Sequence, residues 1–133
     1  NSYVAEVAEV TVKKDGTFRV DKVFIAIDCG VAVNPDVIRA QMEGGTSYGL
    51  SAVFASQITI KDGLVEQSNF DDYEVLRINQ MPDVEVFIVD SDEDPTGVGE
   101  PATPPIAPAV QNAIAAATGK FHHTLPLPKN IMQ

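Results

Sequence analysis

Tyr3-Val4-Ala5-Glu6-Val7-Ala8-Glu9-Val10-Thr11-Val12, then Lys14-Asp15-Gly16-Thr17, then Phe18-Arg19-Val20-Asp21-Lys22-Val23-Phe24-Ile25-Ala26-Ile27, is the stretch that decides the reading of the fold. The first run is rich in valine and holds neither glycine nor proline. The second ends in dense β-branched and aromatic residues, which suit a pleated, half-buried surface. Asp-Gly between two such runs is hairpin chemistry. Two strands therefore open the chain.

Working outward, Asn34-Pro35 starts the next element. Asparagine is a good N-cap and proline is favoured at the first helical position. The pattern predicts a helix from Pro35 to about Phe54, although Gly44, Gly45 and Gly49 interrupt it. Each glycine costs about 1 kcal/mol against alanine in a helix interior, so a reason for them is required. Helical spacing places Val37, Gln41, Gly44 or Gly45, Tyr48 and Ala52 on one stripe. Small residues there permit close packing on the sheet or close approach of a ligand, and spacing alone leaves both readings open.

A second hairpin is expected from Gln57–Lys61 and Leu64–Gln67 around Asp62-Gly63, followed by a long excursion carrying Phe70, Tyr73 and Leu76. Val84 to Asp90 reads as a strand, with Val84, Val86 and Ile88 on one side. A loop rich in acids, glycine and proline leads to a last helix from about Pro104 to Thr118, closed by Gly119. Its apolar stripe is Ile106, Val110, Ala113, Ile114 and Ala117. The order is ββαββ-loop-β-loop-α. The expected fold class is α+β, one domain over residues 1–133, with two helices on an antiparallel or mixed sheet.

The 133 residues carry a formal charge of −10. Between Asp62 and Glu100 stand twelve acids and one base, Arg77. Such a stretch repels phosphate backbones and anionic lipid, so nucleic acid and membrane surfaces are excluded as expected partners. Arg77 is expected to pair with Asp71, Asp72 or Glu74. No apolar run reaches the length of about eighteen residues that a membrane span needs. A single cysteine, Cys29, rules out an internal disulfide framework, and it reads as a buried, inert thiol. His122 and His123 are adjacent, point apart in an extended chain and read as exposed tail residues rather than metal ligands. No metal-ligand set is expected.

One segment carries candidate chemistry: Gly97-Val98-Gly99-Glu100-Pro101. The glycines permit positive φ and close backbone approach, and Pro101 restricts Glu100 to an extended conformation. A carboxylate is thus aimed just before a proline-led helix, in a form suited to a general base. The plain alternative is a surface turn with an incidental glutamate.

Several segments recur together in a fixed order. They are Asp28-Cys29-Gly30, Asn34-Pro35, Gln41-x-x-Gly44-Gly45, Asn69-Phe70-Asp71-Asp72-Tyr73, Leu76-Arg77, Gly97-Val98-Gly99-Glu100-Pro101, Thr103-Pro104-Pro105-Ile106-Ala107-Pro108-Ala109 and Ala117-Thr118-Gly119-Lys120. The set resembles the C-terminal end of the molybdenum-binding large subunit of molybdenum hydroxylases, the xanthine oxidase and aldehyde oxidase family. Within it, the chain looks most like the isoquinoline 1-oxidoreductase β-subunit group. The resemblance implies an oxidoreductase using a molybdopterin-type cofactor, acting on an N-heteroaromatic or aldehyde substrate with water-derived oxygen. It implies Glu100 as the general base, Gln41 as a hydrogen-bonding partner of the cofactor, and Gly44, Gly45 and Gly99 as points of close approach. It also implies as partners the rest of the large subunit, an iron–sulfur small subunit and a small-molecule substrate. Such subunits are several times longer, so the chain is expected to be a C-terminal fragment that neither retains the cofactor nor turns over alone. Phe121-His122-His123 stands where the family usually has arginines. The contrasting expectation is a non-catalytic α+β interaction module. The glycine-rich stripe and the last helix are the faces expected to drive self-association. No residue assigns a compartment.

Overall fold

The computed structural model describes residues 1–132. Strands β1 (Tyr3–Val12) and β2 (Phe18–Asp28) form an antiparallel hairpin whose register shifts between Glu9 and Val10. Gly16, at φ +84°, makes the turn, and the Asp15 side chain accepts from the Thr17 amide and hydroxyl. Helix α1 (Pro35–Phe54) follows, capped by the Asn34 side chain, which accepts from Val37 N at 3.2 Å. Then come β3 (Ile60–Lys61), β4 (Leu64–Val65), a 3-10 turn (Ile78–Gln80), β5 (Asp83–Ile88) and helix α2 (Thr103–Thr118). The main sheet has the order β1-β2-β5, with β5 parallel to β2, and β3 and β4 form a separate two-stranded ribbon. The fold is α+β with a mixed sheet, as expected. No helix among the described residues is long and apolar enough to cross a membrane.

β2 is the spine of the core. Val20, Val23, Ile25 and Ile27 point to one side and are buried, while β1 contributes Val4, Glu6, Ala8, Val10 and Val12 to that side. Helix α2 packs on β1 and on α1 through Ile106, Val110 and Ile114, all fully buried. Burial at about 25 cal/mol per Å² of apolar surface makes this seam the main source of stability. The segment after α2 closes the bottom of the core. Leu127 N donates to Val53 O at 2.8 Å and Ile131 N to Gly16 O at 3.0 Å, with both side chains buried.

Three local expectations are corrected. The second hairpin is shorter than its apolar runs, because the Gln67 side chain accepts from Thr59 N and its amide donates to the Thr59 hydroxyl, replacing strand pairing. The last strand ends at Ile88, with one further bond from Val89 N to Ile27 O. Arg77 has no ion pair within 4.0 Å among the described residues; Asp72 instead caps the turn at Ser68 and Asn69. Asp72 therefore titrates below the usual carboxylate range, held there first by the Asn69 backbone N–H.

Candidate active site

Glu100 lies in the turn between β5 and α2, and its backbone is fixed from both sides. Upstream, Val31 N donates to Glu93 O at 2.9 Å and Thr96 N to Cys29 O at 2.9 Å. Ser2 Oγ donates to Gly97 O at 2.6 Å and lies 2.7 Å from Thr96 Oγ1. Gly30 makes the crossing possible: it sits at φ +72°, and an added Cβ would lie 2.3 Å from Asp94 O. Downstream, Thr103 N donates to Glu100 O at 2.8 Å, and Ala102 is fully buried. The Glu100 side chain itself is exposed, and no hydrogen bond to its carboxylate occurs among the described residues.

Gly97 and Gly99 do not use the positive φ that glycine permits. An added Cβ at either would meet nothing within 4 Å. Their smallness leaves the rim of the turn open rather than enabling a special backbone.

The residues singled out in the sequence converge. Gln41, Gly44 and Gly45 from α1, Gly99 and Glu100 from the turn, and Tyr48, Thr103 and Pro104 border one hollow of about 460 Å³. The three α1 glycines then separate by neighbour. Gly49 is a packing glycine, since an added Cβ would stand 2.4 Å from Ile106 Cγ2 and 2.8 Å from Thr103 O. Gly45 also faces the start of α2: an added Cβ would lie 3.1 Å from Ala102 Cβ, and its carbonyl accepts from Thr103 Oγ1 at 3.3 Å. The close packing is thus on α2 and not on the sheet. Gly44 alone meets nothing within 4 Å, so nothing in the chain's own packing demands its small size. That open cradle, with the uncharged donor and acceptor of Gln41 beside it, fits one edge of a large polar cofactor.

Sequence reasoning misses Tyr48 and Thr103 as site residues. Tyr48 stands on the predicted stripe seven places after Gln41, a signal that could have found it; only the position of α2 brings Thr103 to the same rim. Cys29 is buried, as expected. His122 is half-buried with Nε2 3.1 Å from Ile131 O, unlike the exposed tail residue expected, while His123 is exposed and stacks on Phe121. No cluster of three or more metal-ligating side chains occurs among the described residues.

Residues 1–82 match the family model of the molybdopterin cofactor-binding domain. The chain belongs to that family. It is 38% identical over 128 residues to the beta chain of isoquinoline 1-oxidoreductase of Brevundimonas diminuta, covering 96% of this chain and 16% of that protein. It is 33% identical over 128 residues to a subunit of the nicotinate dehydrogenase of Pseudomonas putida, covering 95% of this chain and 11% of that protein. The fold is also that of the aldehyde oxidoreductase from Desulfovibrio gigas, at a TM-score of 0.80 and 28% identity over 98% of this chain and 15% of that one. The chain spans about one sixth or less of the length of these relatives.

Proposed function

We propose that this chain is the part of a molybdenum hydroxylase that presents the general base, Glu100, to the reaction centre. The convergence of Gln41, Gly44, Gly45, Gly99 and Glu100 on one hollow carries this reading. A molybdopterin-type cofactor, when bound, supplies the redox metal for the oxidation. Gln41 would border it, offering an amide that donates and accepts without adding charge. Gly44 would let it approach the helix backbone.

Glu100 takes up the proton that the oxygen source releases as it attacks the substrate carbon. For this task a carboxylate must be aimed, and the staples at Cys29, Val31 and Ser2 hold the backbone that leads to it. It must also be sheltered from water, so the cover over Glu100 belongs to the remainder of a longer subunit. The names of the relatives support a small N-heteroaromatic or aldehyde substrate. An iron–sulfur subunit is the proposed electron-accepting partner.

The test is Glu100→Gln in the parent enzyme. It preserves shape and removes proton acceptance. Turnover is expected to fall by roughly 10²-fold or more with metal content unchanged. Near-normal turnover in metal-replete enzyme removes Glu100 from the reaction.

A further inference from the structure

Glu6 stands apart from the site. It lies on the inward side of β1, between Val4 and Ala8 and opposite Ile25 of β2. Both of its carboxyl oxygens are shut off from solvent, and neither has a hydrogen-bond partner among the described residues. The elements packed around it offer no counter-charge. Helix α2, which covers β1, runs from Thr103 to Thr118 without one titratable side chain. The inward neighbours on β2, Val23, Ile25 and Ile27, are apolar and fully buried. The charged residues of β2 are engaged elsewhere: Arg19 with Asp21, Asp21 also with Thr11, Lys22 with Glu85, and Asp28 with the Gly30 amide. On β1 itself, Glu9 lies on the exposed side, in register with Lys22. Burial alone raises the Glu6 carboxyl from 4.5 to about 7.

Its position connects it to the Glu100 turn. Val4, one inward place back along β1, lines a hollow with Gly97, Glu100, Pro101, Pro104 and Pro105. Ser2 holds the Gly97 carbonyl. The strand end that holds Glu6 is therefore the one on which the turn and the first residues of α2 rest.

We propose that Glu6 is a proton-operated latch between β1 and α2. Protonated, it lets the helix sit on the strand. Ionised, it is a charge facing an apolar seam with no donor, so it draws in water and eases the start of α2, with the Glu100 turn, off the sheet. The latch stands whether or not Glu100 is a base.

The sign of the pH dependence follows from linkage. The folded chain keeps on Glu6 a proton that the unfolded chain releases near 4.5. The stabilisation is complete below 4.5 and is lost as pH rises through about 7. The whole shift would correspond to about 300-fold in the folding constant. Water near a half-buried residue reduces it, so a loss of roughly tenfold is expected.

The experiment is a carboxyl NMR titration of the full chain with urea unfolding between pH 4.5 and 8, on the wild type and on Glu6→Gln. In the wild type the Glu6 carboxyl is expected to titrate near 7, and the amide shifts of Gly97, Gly99 and Ala102 to follow that midpoint. Glu6→Gln should remove both the amide response and its share of the stability slope. The two proteins differ at residue 6 alone, so the difference isolates Glu6. If Glu6→Gln fails to fold, Glu6→Leu serves the same comparison, and if neither folds the wild-type titration decides. A Glu6 carboxyl titrating near 4.5, or turn amides that stay still while Glu6 titrates near 7, overturns the latch.

Discussion

Gly30 holds the loop that leads to Glu100. Its φ of +72° and the Asp94 carbonyl above it leave no room for a side chain. Gly30→Ala is expected to cost about 1–3 kcal/mol, because alanine must both adopt a left-handed backbone and displace a carbonyl. Urea unfolding measures the loss, and shifted amides at Gly97 and Gly99 would show that the loop has moved. An unchanged protein would mean the crossing is loose. Glu100 and Gln41 stood out in the sequence as candidates because their neighbours recur as a set, each with chemistry that suits a site. Glu6 did not. In β1 the residues Tyr3, Ala5 and Val7 alternate with Val4, Glu6 and Ala8, and neither series is the more apolar by pattern. Only the seat of α2 decides that the series with the carboxylate turns inward.

At the level of elements, the limits of α1 were readable because Asn34 and Pro35 act within one turn of chain, whereas those of β3 and β4 depend on partners several residues away. The three glycines of α1 looked alike in sequence, since spacing says which residues share an arc and not what stands opposite. Their different neighbours give opposite expectations. Gly49→Ala drives a methyl into Ile106 and the Thr103 carbonyl, so a net loss of about 1–2 kcal/mol is expected after the gain in helix propensity. Gly44→Ala meets nothing, and the isolated chain should gain about 0.5–1 kcal/mol. In the parent enzyme the same substitution is expected to lower molybdenum content, because the added methyl lies where the cofactor edge would come. Thermal unfolding of the chain and metal analysis of the parent check the pair. Gly44→Ala with full metal content would separate the hollow from the cofactor.

Across the whole molecule, only part of the foreseen apolar surface is bare. The stripe of α2 is spent inside, on β1 and α1, whereas that of α1 stays exposed at Val37 and Tyr48, and a further bare face, not foreseen, is the far side of the sheet. Tyr3, Val7 and Phe87 are exposed there, with Phe24 between them under the Lys22 ammonium. A bare apolar sheet beside the long free edge of β1 favours association. The chain is expected to gain mass with concentration in light scattering at moderate salt, and Val7→Lys with Phe87→Lys to keep it monomeric. A wild-type monomer at every concentration would show that the acidic surface prevails. A different consequence follows from Ile131, whose amide is tied to the hairpin turn at Gly16 and whose side chain is wholly enclosed. The turn at Gly16 is thus completed by a residue that lies beyond both helices in the chain. Both helices are translated before the seats of Leu127 and Ile131 are filled, so a nascent or prematurely terminated product displays an unsealed core to chaperones and proteases. The seal of this core is thereby set by codons that follow both helices.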